Sequence, residues 1–270
     1  MYELNVTDYY KVVEPVKSLE INTLFAQTVL HHKLSGKVYV DNVIEPKTFY
    51  ILHPYGMSLL FGEAHNEEFN RRLGQYLLNS RKERIKGEWL QVYPENWKIL
   101  MDRLADSSMV EGGSSGKIIK HTRVNFQFSQ ERYEAIKPKL ANDGIEIIKT
   151  TAEMFDKIQG AVIPKFFWKD GNDFETNGCG YSLICEGDIA STAFAGFILD
   201  GKLEIGIETS ENFRGKGYAA MVCAKLIDYC LSRGLEPVWA CRLENTASYM
   251  LAQKLGFIPT LEIPYYYIAT

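Results

Sequence analysis

The chain of 270 residues has little that would tie it to a membrane, a metal or a nucleic acid. No apolar run approaches the ~20 residues that a membrane-spanning helix needs, so no membrane partner is expected. Met1-Tyr2-Glu3-Leu4 opens with an acid and lacks a basic, apolar leader. No signal peptide is expected, and the chain is expected in the cytoplasm. Without secretion, the Asn5-Val6-Thr7 glycosylation pattern carries little weight. Positive charge is not in excess: the net charge is −4 and the pI about 5.8, which offers no general nucleic-acid surface. Cysteines are few: Cys179, Cys185, Cys223, Cys230 and Cys241, all in the second half. None forms a Cys-x-x-Cys pair, and no histidine follows His121. Reduced, mostly buried thiols are expected, and no metal site.

What is present reads as a globular protein. Hydrophobic residues make up 46% and charged residues 24%, enough for a core without metal or disulfide support. The length suits one large or two modest domains. Leu19, Thr23, Ala26, Val29 and Leu30 give a helical stripe over 17–34, followed by Gly36. Strands are expected at 37–41, 47–52, 57–62 and 89–93, and helices at 66–82 and 95–105. His53, at a strand end before Pro54, reads as a solvated or capping histidine. Glu111-Gly112-Gly113-Ser114-Ser115-Gly116-Lys117 brushes against a phosphate-binding loop, but Glu111 holds the first glycine position and Ile118 follows the lysine. It reads as a flexible hairpin loop with strands at 117–121 and 123–128. A helix over 129–141 links to the second half.

That half reads as a strand over 144–149, a capped helix from Thr151 to Ile158, and strands at 179–185 and 189–199. The aromatic run Pro164-Lys165-Phe166-Phe167-Trp168-Lys169 is read as packing rather than as a base-stacking surface. Asp200-Gly201 is a tight hairpin signal. Leu203, Ile205, Ile207 and Thr209 then alternate with Glu204, Gly206 and Glu208 as a strand. Phe213-Arg214-Gly215-Lys216-Gly217-Tyr218-Ala219 follows, then a helix carrying Val222, Leu226 and Cys230, closed by Gly234. Further strands are expected at 237–241 and 263–268. The order strand, glycine turn, helix leaves N–H groups unpartnered at the positive end of a helix dipole, which is a phosphate site; the bland alternative is an ordinary helix start.

The spacing Arg214-x-x-Gly217-x-Ala219 resembles the pyrophosphate motif of the GNAT superfamily, which transfers acyl groups from coenzyme A to amines. Asn245-Thr246-Ala247-Ser248 through Lys254-Leu255-Gly256-Phe257 is similar to that superfamily's later helix and turn. At motif level the resemblance covers residues 203 to 257, and the whole chain resembles the bacterial family with an N-terminal region before the GNAT domain. The implied fold is α/β (α+β), a mixed, mostly antiparallel sheet flanked by helices. The expected domains are 1–142 and 143–270, the first either a degenerate copy of the same fold or an unrelated α/β extension.

The resemblance also implies a site. Acetyl-coenzyme A would run along the strand at Ile207 and Thr209, with an acetyl carbonyl polarised at the Ile207 N–H. Its pyrophosphate would rest on Arg214, Gly215, Lys216, Gly217, Tyr218 and Ala219, and Asn245 and Ser248 would complete the coenzyme site. Glu208 is the expected general base, with Glu244 a further candidate and Glu204 read as a surface carboxylate. Many superfamily members place a tyrosine acid seven residues after the motif asparagine; here that position is Ala252. Ser248, one turn earlier on the same face, is the expected acid or thiol-positioning group, matching a serine in the ribosomal-protein acetyltransferases of the superfamily.

The expected function is transfer of an acetyl group to a primary amine of a small molecule or peptide by direct attack in a ternary complex. Ala252 keeps a second reading open, a non-catalytic acyl-coenzyme A sensor. A third is an interaction module in which the first half binds a protein. A homodimer is also left open.

Overall fold

The structure, a computed structural model, describes residues 1–110, 116–137 and 145–270. The chain forms two compact units. Unit 1 is Met1–Val124 with Arg242–Glu244 and Leu261–Thr270; unit 2 is Asn125–Cys241 with Asn245–Thr260. The boundary expected at 142/143 falls outside the described residues, as does most of the loop expected at 111–117. No helix among the described residues is long and apolar enough to cross a membrane.

Unit 1 runs β1 (Tyr2–Glu3), α1 (Tyr10–Lys17), α2 (Leu24–Leu30), β2 (Lys37–Val40), β3 (Thr48–Leu52), β4 (Met57–Gly62), α3 (Glu67–Leu77), β5 (Glu88–Val92) and α4 (Lys98–Val110), then enters β6 (Ile118–Phe128). The single helix expected over 17–34 is two helices. Ser18 closes α1 with its N–H on Glu14 O and its hydroxyl on Pro15 O, and Asn22 Oδ1 accepts Leu24 N–H to start α2. The two strands expected on either side of Thr122 are one continuous β6. Strands β2, β3 and β4 pair antiparallel and β5 runs parallel to β4. One face of this sheet packs on α3 and α4 through Tyr50, Leu60, Leu90, Phe69, Trp97 and Met101. Trp97 is wholly buried, and its indole N–H donates to Gly62 O at 3.2 Å.

His53 is neither solvated nor charged. It is fully buried, its Nδ1 accepts Tyr55 N–H at 3.1 Å, and burial with the nearby Lys86 charge pushes its pKa down to about 3. The folded value lies below the unfolded one, so the stabilisation is present above pH 6.5 and is lost as pH falls toward 3. At pH 5 the loss is about 2 kcal/mol, and His53→Gln is expected to flatten that part of a urea-stability profile. An unchanged slope would remove His53 as its source.

Unit 2 continues with α5 (Gln130–Ile136), β7 (Glu146–Lys149), α6 (Ala152–Lys157), α7 (Gly171–Asn177), β8 (Gly180–Cys185), β9 (Asp188–Leu199), β10 (Lys202–Thr209), α8 (Tyr218–Ser232), β11 (Glu236–Val238), β12 (Ala240–Arg242), α9 (Thr246–Lys254) and β13 (Phe257–Ile268), the last ending in unit 1. Its sheet has the order β11-β10-β9-β8-β7, antiparallel except for β10 with β11. The apolar face of α8, with Val222, Leu226 and Cys230, is fully buried. Phe167 is buried against Phe194 and Phe197 and Trp168 Nε1–H donates to Ala195 O, so these two pack on the unit, while Phe166 is exposed. None of the five cysteines is in a disulfide and four are buried; burial pushes the Cys179 thiol up to about 11.

The two units share an order: three antiparallel strands, a helix, then a strand parallel to the third. Their helix starts differ. In unit 1, Asn66 Oδ1 takes the Phe69 N–H, and Glu67 and Glu68 occupy the first turn of α3. That end is capped and negative, unsuited to an anion. Helix α8 has no side-chain cap and no acid in its first turn.

Candidate functional site

The site is built where β10 hands over to α8. Strand β10 pairs with β11 only from Lys202–Glu236 to Glu204–Val238. Its register with β9 shifts between Glu204 and Ile205, and from there to Thr209 only β9 accompanies it. The strand expected over 237–241 breaks at Trp239, whose carbonyl accepts Phe126 N–H. Residues 205–209 therefore show one open edge within this sheet. Ser210 N–H bonds Ala190 O on the β9 side, so by strand alternation the Ile207 and Thr209 backbone groups face the open edge. Glu204 is buried rather than a surface carboxylate.

The turn that follows presents backbone donors. Gly215 (φ 78°) and Gly217 (φ 81°) take left-handed conformations, and a Cβ at either would project into open space. The N–H groups of Gly215, Lys216, Gly217, Tyr218 and Ala219 have no protein acceptor among the described residues. Together with the dipole of α8 they form a set of donors that could hold an anion. Arg214 is exposed, Lys216 lies 5.1 Å over the Phe213 ring, and the Tyr218 hydroxyl is 3.6 Å from Cys185 Sγ. The donor set fits a pyrophosphate.

The later motif forms α9. Asn245 Oδ1 accepts Ser248 N–H at 3.2 Å, an N-cap. Ser248 Oγ accepts the Trp239 indole N–H at 3.2 Å, which leaves its own proton free to be donated elsewhere. Ala252 is fully buried, and Tyr249 packs edge-on against Phe126. Trp239 was not singled out from the sequence; its only signal there was its place just before the second motif.

Of the carboxylates, Glu208 lies in unit 2 and Glu244 in unit 1. Glu208 accepts the N–H groups of Ala161, Val162 and Thr209. Glu244 accepts Thr122 N–H and pairs with His121; burial pushes its carboxyl up, but these hydrogen bonds and that charge outweigh it and hold it below the usual value. Among the described residues no group of His, Cys, Asp and Glu could hold a metal ion.

A mixed sheet whose parallel pair opens beside a helix start with unpartnered N–H groups is a scaffold that could hold a phosphate-bearing ligand. The comparisons agree. The GNAT acetyltransferase family matches residues 17–266, and the chain belongs to that family. The uncharacterized N-acetyltransferase YdfB of Bacillus subtilis (strain 168) is 22% identical over 245 residues, 90% of this chain and 89% of its own length. A GCN5-related N-acetyltransferase-like protein from Streptococcus suis 89/1591 superposes with a TM-score of 0.74 at 21% identity, covering 97% of this chain and 99% of that one. A tandem GNAT protein from the clavulanic acid biosynthesis pathway gives a TM-score of 0.62 at 9% identity, over 99% and 97%.

Proposed function

We propose that the protein transfers the acetyl group of acetyl-coenzyme A to a primary amine of a small molecule or peptide, by direct attack within a ternary complex. The observation that carries this reading is the run of unpartnered N–H groups from Gly215 to Ala219 beside the open edge of β10. The coenzyme supplies a thioester-activated acetyl group. The N–H groups of Gly215–Ala219, with Arg214 and Lys216, hold its pyrophosphate. The Ile207 N–H, on the open edge, polarises the acetyl carbonyl. Ser248 Oγ–H, whose oxygen accepts from Trp239, gives a proton to the departing sulfur, and the proton lost by the attacking amine replaces it. Asn245 fixes the first turn of α9 on which Ser248 stands. A cytoplasmic location belongs to this proposal.

The experiment is a panel of amines incubated with the protein and acetyl-coenzyme A, scored for free thiol. Release with one amine class is expected. Ala252, wholly buried where many relatives carry a tyrosine acid, favours the second reading, an acyl-coenzyme A sensor. Tight coenzyme binding without release from any amine would support that reading over transfer.

A further inference from the structure

Glu208 is the residue through which two pieces of the site meet. Its side chain is only 12% exposed at the end of β10. One oxygen, Oε2, accepts the N–H groups of Ala161 at 2.8 Å and Val162 at 3.0 Å. The other, Oε1, accepts Thr209 N–H at 3.2 Å and lies 3.7 Å from Arg214 Nη2. Arg214 Nε–H in turn donates to Thr209 O at 3.2 Å. Gly160 shows how closely the loop sits on the carboxylate: its φ is +146°, and a Cβ there would lie 2.4 Å from Glu208 Cγ and Cδ. No other residue type fits at that position without displacing either the loop or the acid.

A carboxylate offers about four lone-pair sites. Here three are met by backbone N–H groups, and the remaining side of Oε1 faces the Arg214 guanidinium at 3.7 Å as an ion pair. A general base needs a lone pair within hydrogen-bond reach of the proton it removes. Glu208 has its lone pairs directed at the loop and at Arg214. The same contacts cover the backbone of Thr209, whose N–H goes to Glu208 and whose carbonyl goes to Arg214. Ile207 is left as the backbone position open to the coenzyme.

We infer that Glu208 is a positioning residue, not the base expected from its place on the strand. It clamps residues 160–162 with one oxygen and holds the Arg214 guanidinium with the other, which aims Arg214 at an anion on the α8 N-terminus. The inference rests on the reading of that turn as the phosphate site.

Calorimetric titration with acetyl-coenzyme A separates the two. Glu208→Gln keeps one oxygen, which can still accept from Ala161 and Val162, and turns an NH2 toward Arg214. The loop is retained and the arginine is released. The Kd for acetyl-coenzyme A is expected to rise about three- to fivefold, the scale of an exposed ion pair. In steady state with the best amine, the rise is expected in KM, with kcat and the acidic limb of the pH profile kept. In an Arg214→Ala background, Glu208→Gln is expected to add nothing further, because both act through one arm. Gly160→Ala, which crowds the same carboxylate, is expected to raise Kd in the same direction. Unchanged affinity in Glu208→Gln, with kcat down about a hundredfold and the acidic limb removed, would overturn the inference and restore the base. Failure of the unsubstituted protein to bind acetyl-coenzyme A would instead overturn the phosphate site on which it rests.

Discussion

Gly217→Leu is expected to weaken acetyl-coenzyme A binding by about a hundredfold or more, with the fold intact. Gly217 is the N-cap of α8 at φ 81°, and nothing lies within 4 Å of where a Cβ would stand. That open space is where the N–H groups of Gly215–Ala219 point an anion. A leucine there blocks the approach, and losing two charge-assisted hydrogen bonds is worth about 3 kcal/mol, which is about a hundredfold in Kd. The left-handed backbone adds a strain of about 1–2 kcal/mol to the folded state. Gly234 separates the two effects. It closes the other end of α8 at φ 67°, also with nothing within 4 Å. Gly234→Leu carries the same kind of strain and is expected to lower Tm by a similar amount with Kd unaltered. Calorimetry and thermal unfolding of both variants check this; equal binding in Gly217→Leu and wild type would sink the phosphate assignment.

Ser248→Ala is expected to lower kcat by about a hundredfold, the scale of a lost general acid, while the Kd for acetyl-coenzyme A changes little. Ser248 has its backbone N–H on Asn245 and its Oγ accepting from Trp239, so the hydroxyl proton is not used in that bond and can be donated elsewhere. The substitution also strips a partner from the Trp239 indole, in a residue 2% exposed, and about 1–2 kcal/mol of stability goes with it. Trp239→Phe keeps the ring and the serine but removes the orienting N–H. A smaller fall in kcat, about severalfold, is expected from it. A Ser248→Ala rate equal to wild type would remove the acid role.

The turn at Arg214–Ala219 is legible in the sequence because its chemistry is local. Glycines, a basic residue and a clean strand before a clean helix are all within 20 residues of one another. Both motifs kept their places on α8 and α9 for that reason. Other features depend on contacts between distant residues and leave no spacing to read. Glu208 looks like a free acid on an alternating strand until residues 160–162 close over it. His53 reads as a solvated or capping residue at a strand end; its Nδ1 does accept Tyr55 N–H, but Phe25 packs edge-on against a ring that is buried, not solvated. The stripe over 17–34 obeys helical period, yet Ser18 and Asn22 end one helix and begin another within it. Residues 117–121 and 123–128 read as two separate strands, but β6 runs straight through Thr122. The shared order of the two units was visible only as a coarse alternation. What makes the start of α3 unsuited to an anion is a matter of three side chains, Asn66, Glu67 and Glu68.

The most direct measurement is calorimetric titration of the purified protein with acetyl-coenzyme A. One coenzyme per chain is expected, with binding weakened about a hundredfold or more in Gly217→Leu and retained in Gly234→Leu. Absence of binding in the wild-type protein would contradict the assignment of the Arg214–Ala219 turn, and with it the proposed transfer.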